Sequence, residues 1–235
     1  MSPGHHTFDC FGRNTNLAAL VVVGASLCLL LSGCSGKERY HSALVATDED
    51  ISRGTSRGKS LIASGADPAD AYKSRMVDVN VRVSSDVILR SAGVCMPADE
   101  IAYQIALGGD SSDNGVRHAV TSALKTIERQ VRTAAIVQVA KSRDPASVDF
   151  ALRTSPGTDY PPIAVEKPTF LREVKLTYDS TAPAAALYSY VILFPSRGGP
   201  GVPPIGPTVS SLSLVVQDGP YEGKATFPLQ VRSPR

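Results

Sequence analysis

Tryptophan is absent from this 235-residue chain, and aromatic residues of all kinds make up only 6% of it. A carbohydrate cleft lined with tryptophan is thereby excluded. Charge is nearly balanced, with 24 Lys and Arg against 22 Asp and Glu, so the whole chain lacks the cationic excess of a nucleic-acid binder. No Cys-x-x-Cys spacing occurs among its four cysteines, which argues against thioredoxin-like chemistry and structural zinc. His-Glu-x-x-His, Gly-x-Ser-x-Gly and EF-hand patterns are missing too. No catalytic, metal-binding or cofactor-binding residue is therefore named. What remains, 43% hydrophobic and 20% charged residues, is ordinary for a globular protein.

The chain has a single long apolar run. Residues 17–31 read LAALVVVGASLCLLL, after a polar start that carries one strong cation, Arg13. Fifteen residues in a helix rise about 22 Å, short of a roughly 30 Å hydrocarbon core. That length suits the apolar region of a signal peptide better than a permanent span. Leu31-Ser32-Gly33-Cys34 follows and resembles the lipobox of bacterial lipoproteins. The resemblance implies that residues 1–33 are removed as a signal peptide and that Cys34 Sγ carries a diacylglyceryl group. Two or more acyl chains, at about 0.8 kcal/mol per buried methylene, anchor stably. Ser35 in place of Asp resembles the pattern of lipoproteins sent to the outer membrane, so the expected location is the envelope, lipid-anchored and facing the periplasm.

After such cleavage Cys10 and Cys28 are gone and Cys34 is consumed by lipid. Cys95 is then the one thiol left, expected to be buried and inert in its apolar stretch. Residues 34–75 are rich in Ser, Gly, Ala and charge, and read as the lipidated Cys followed by a disordered tether. Within them, Gly54-Thr55-Ser56-Arg57-Gly58-Lys59-Ser60 comes close to a phosphate-binding loop. Three residues lie between its glycines where that loop needs four, so it reads as polar linker.

From Met76 to Arg235 the pattern predicts an α+β domain. Val77, Val79, Val81 and Val83 alternate with polar residues, as in a half-buried strand. Pro97, with Asp99 and Glu100 behind it, opens a helix over about 97–107 that Gly108-Gly109 ends. A second helix is predicted over about 114–135, with Asp113 or Asn114 as its cap and Val116, Val120, Leu124, Ile127 and Val131 as its apolar stripe. Ile136–Ala140 either prolongs it or forms a strand pairing with Val148–Arg153. Residues 116–143 hold six cations against Glu128 alone, read as the solvated face of a core-packed helix.

The chain is β-rich from about 148. Candidate strands are Phe170–Tyr178, Leu187–Phe194, Thr208–Val216 and Lys224–Val231, the last two bracketing a hairpin loop over Asp218–Gly223. Pro228 marks the last as an edge. Pro195–Pro207, nine of whose thirteen residues are Gly or Pro, reads as an exposed loop. The expected fold is thus an antiparallel, sandwich-like sheet packed with two helices.

Histidines past the signal region number two, His41 and His118, both expected to be solvated. Asp110 and Asp113 read as helix-capping residues. The functional expectation is a non-enzymatic binding or envelope-assembly module with an envelope protein or polymer as partner. An envelope hydrolase acting on peptidoglycan or lipid is the alternative, and an accessory lipoprotein of a secretion or surface structure is a third. A shallow surface with an open edge strand would favour the binder.

Overall fold

The structure is a computed structural model, and it describes residues 44–229 except 74, 156, 176–183, 199–204 and 207–208. Its fold is α+β, as the sequence predicts. Thr47 starts the first helix, α1 (Asp48–Ser64), through a capping box in which Thr47 and Asp50 satisfy each other's backbone N–H groups. A short helix, α2 (Asp70–Lys73), follows. These helices correct the expectation of a disordered tether reaching residue 75. The compositional signal misled because α1 buries glycines, not large apolar side chains. A Cβ on Gly54 would sit 2.6 Å from the Ala98 carbonyl oxygen, and one on Gly58 would sit 2.7 Å from Ile105 Cβ. The near phosphate loop is a seam for close helix packing.

Strands β1 (Val77–Arg82) and β2 (Val87–Val94) form an antiparallel hairpin. Two helices follow, α3 (Pro97–Gly108) and α4 (Asp113–Arg129). Ser112 caps α4, its Oγ accepting from the Gly115 N–H, where Asp113 or Asn114 was expected. The helix stops at Arg129 and the chain runs directly into β3 (Gln130–Ala140), correcting the predicted helix to 135. No Gly or Pro marks the change. From Val131 the β-branched residues Val131, Thr133, Ile136, Val137 and Val139 favour a pleated surface, and that preference wins. β3 pairs with β2 and with the later strand Ala184–Pro195, not with residues 148–153.

The remaining strands are β4 (Asp149–Thr154), β5 (Asp159–Tyr160), β6 (Ala164–Val165), β7 (Thr169–Lys175), β8 (Ala184–Pro195), β9 (Ser211–Asp218) and β10 (Tyr221–Pro228). The predicted end of β7 at Tyr178 lies outside the described residues, as do Val231 and most of the Pro195–Pro207 loop. The expected hairpin loop tightens to two residues. Tyr221 pairs with Asp218 across Gly219-Pro220, with Gly219 at φ 59°, the positive value a primed turn requires of its first central residue.

All pairings are antiparallel, in two sheets. One runs β1-β2-β3-β8-β6, with β7 also on β8, and the other runs β10-β9-β4-β5. Pro228 lies on an edge strand, as expected. Leu89, Val137, Ile192 and Phe194 from the first sheet form one apolar core with Leu152, Leu212, Leu214 and Val216 from the second. Gly223 of β10 lets Val81 and Val83 approach so closely that a Cβ there would be 2.8 Å from Val83, closing one side of the sandwich. The opposite face of the first sheet carries Ala134 and Val191, packed on Tyr72, Tyr103 and Cys95. The helices therefore form a third layer.

Gly54→Ala should lower stability by about 1–3 kcal/mol through overpacking at the seam. Gly108→Ala, where a Cβ meets nothing within 4 Å, should leave stability unchanged or raise it by up to about 1 kcal/mol. Urea unfolding of both variants checks the contrast.

Candidate functional site

Two carboxylates at the start of α3 are drawn out of water by the helix layer. Asp99 is 1% exposed. It accepts from the Met96 N–H at 3.2 Å and from Arg57 at 2.8 Å, and Arg75 Nε lies 3.4 Å away. Arg57 also donates to the Asp70 carbonyl at 2.9 Å, so one guanidinium ties α1 to both α2 and α3. Burial raises the Asp99 pKa above its ordinary 3.8, and Arg75, the Met96 N–H and Arg57 offset this only in part.

Glu100, also buried, meets Arg132 of β3, with Arg132 Nε 3.0 Å from its carboxylate. Arg132 is itself 8% exposed, lies 4.6 Å from the centre of the Tyr103 ring, and approaches Glu166 to 3.4 Å. Cys95 Sγ is 3.7 Å from the same Glu100 carboxylate. Burial, with Glu100 and Asp99 close by, pushes the Cys95 thiol well above its usual value, and burial pushes Tyr72 up to about 12. A thiol held protonated beside a carboxylate already committed to arginine is a poor nucleophile and a poor metal ligand. This cluster orients helices on the sheet.

A different chemistry appears at the side of the sandwich that β1 and β10 leave open. The chain crosses there from β5 to β6 through Pro161-Pro162. A groove of about 490 Å³ runs beneath, lined by Val148, Phe150, Pro162, Val165, Pro168 and Tyr190 among others. Ile163, Val165, Phe170 and Leu171 are all 42% exposed or more. The Phe170 ring meets Tyr188 edge-on at 6.0 Å. The arrangement offers an apolar, concave surface with backbone edges beside it, suited to holding a polypeptide or another apolar group.

Cys34 and His41 lie outside the described residues. His118 stands exposed on α4. Asp110 accepts from the Ser112 N–H at 2.8 Å, which lowers its pKa, and Asp113 lies 3.7 Å from Lys59. Among the described residues no group of three His, Cys, Asp or Glu could hold a metal. The predicted basic face divides: Arg132 turns inward, Lys141 pairs with Glu173, and Arg143 pairs with Asp218. Arg117, Lys125 and Arg129 stay exposed on α4. Sequence reasoning missed the Glu100–Arg132 pair, 32 residues apart, because nothing local marks either as buried. Phe170 was read as part of a strand, but its exposure depends on which strands cover it. No known protein family, curated protein or solved structure matches the chain.

Two outcomes follow from the buried cluster. Because folding raises the Asp99 pKa, its linkage contribution is full below the unfolded value and is lost as pH rises through the folded value. The stability difference between wild type and Asp99→Asn should therefore shift in favour of wild type as pH falls from neutral into the carboxylate range, measured by urea midpoints. Cys95 should resist a maleimide in the folded protein and react readily after unfolding, as peptide mapping by mass spectrometry reads directly.

Proposed function

We propose that the protein is anchored through lipid on Cys34 at the outer membrane, faces the periplasm, and acts as a non-enzymatic module that binds another envelope component. The anchoring half of this reading rests on Leu31-Ser32-Gly33-Cys34 and the apolar run before it. The binding half is carried by one observation: the exposed Ile163, Val165, Phe170 and Leu171 beside the groove over Tyr190. Apolar residues clustered in this way usually mark a contact surface. No helix of the described residues is long and apolar enough to cross a membrane.

The corrected helix boundary refines the picture. Only ten Cα steps separate Cys34 from Leu44, at most about 35 Å of chain. The domain therefore works close to its bilayer, and its partner must come there too.

Cell fractionation of wild type and Cys34→Ala tests the anchor. Wild type should sit in the outer-membrane fraction and shift in mass on losing acyl groups, while Cys34→Ala should do neither. Identical fractionation and processing of the two would overturn it. Crosslinking in intact cells from Val165 should capture one defined envelope component, with Val77 as the control position.

A further inference from the structure

The two sheets are unequal in width. On the first sheet, Val165 pairs with Ile192 and Phe170 pairs with Tyr188. Directly opposed residues in an antiparallel pair share a face. Ile192 and Tyr190 belong to the core between the sheets, so Val165 and Phe170 lie on that same inner face, past the place where cover ends. The sandwich interior continues here without its second layer.

The second sheet stops just short of this place. Ser155 donates to Ser211 of the neighbouring strand, and Thr154 donates to Thr158 on the other side. Backbone groups along a strand alternate in direction, so Phe150 and Leu152 also direct theirs away from β9. β5 answers only Leu152 and Arg153. Among the described residues, no strand pairs with β4 beside Phe150. That alternation directs its N–H and C=O toward the groove it lines, beside the exposed Val165.

Resting on the binding reading above, we infer that this open side takes one extended strand of a partner protein, which pairs with β4 at Phe150 and lays apolar side chains over the exposed Val165 and Phe170. Strand addition draws affinity from main-chain hydrogen bonds and specificity from pockets for every second side chain. Both features are present here. The pairs at Val165 and Phe170 lie four residues apart along β8, about 13 Å, so four or five residues of strand suffice. The rim carries exposed Asp144 and Asp149 against Lys167, Glu166 being held by Arg132, and this selects an occupant flanked by Lys or Arg. The outer edge of β7 is less suited. It has a bulge between Phe170 and Arg172 and charged Arg172, Glu173 and Lys175, the devices that deter edge pairing.

The test titrates the full chain, purified in detergent, with the synthetic peptide Lys-Val-Thr-Val-Thr-Val-Lys and with the same peptide N-methylated at alternate backbone nitrogens. Two methylation registers cover both possible edges of the probe. The unmodified peptide should bind, and one register should bind about tenfold more weakly, the cost of roughly two lost backbone hydrogen bonds. Val165→Glu should weaken binding to a similar extent, whereas Val77→Glu, on the far edge of the sheet, should not. Equal binding of all three peptides overturns strand addition, and so does no binding of any. If the Val165 crosslink still captures a defined envelope component while the peptides fail, the binding reading survives and only the strand mode is lost. If the peptides bind as expected but the crosslink captures nothing, the strand mode stands and the envelope-binding role falls.

Discussion

Both faces of β3 are covered along almost all of its length, and much of the arrangement follows from the need to cover both. Val137 and Val139 on one side are fully buried against the second sheet, while Ala134 and Arg132 on the other lie under the helices. A strand buried on both sides needs a layer on each, so an open, one-sided sheet was never available to this sequence. All eleven residues of β3 pair with the twelve-residue β8. That central pairing runs without a register shift, and the shortest strands, β5 and β6 at two residues each, lie at the sheet edges.

Charge inside this frame acts on orientation more than on net stability. Burying Glu100 with Arg132 costs desolvation that their attraction roughly repays, and apolar replacements of the same volume often do as well. What the pair supplies is a unique seat for α3, since only one rotation of that helix brings Glu100 to Arg132 and Asp99 to Arg57 together. The two adjacent carboxylates face different partners because successive helical positions point about 100° apart.

How much of this was legible depended on whether the signal was local. Alternation in Val77–Val83 and the Pro97–Gly108 helix carry their own start and stop chemistry and were read within a residue or two. The α4–β3 junction was misplaced because Val131 satisfies both periods at once, four residues after Ile127 and two before Thr133. α1 was missed for the opposite reason: its buried face is glycine, which no hydrophobicity pattern records. The open side of the sandwich could not be read at all. Phe170 and Val165 look like core residues in sequence, and only the strand count of the facing sheet shows that they are bare. Residues 31–34, which resemble a lipobox, lie outside the described residues.

The glycine seam has an energetic consequence of its own. Gly54 and Gly58 seat α1 directly on Ile101 and Ile105 of α3, both fully buried, and Ile51 and Ile62 of α1 pack on the same cluster. A helix held this way cannot swing off its neighbour without wetting those isoleucines. Such an opening raises heat capacity and denaturant sensitivity, because both scale with newly wetted apolar area. A helix whose own composition is polar is thus held down by the greasy surface of the one beneath it.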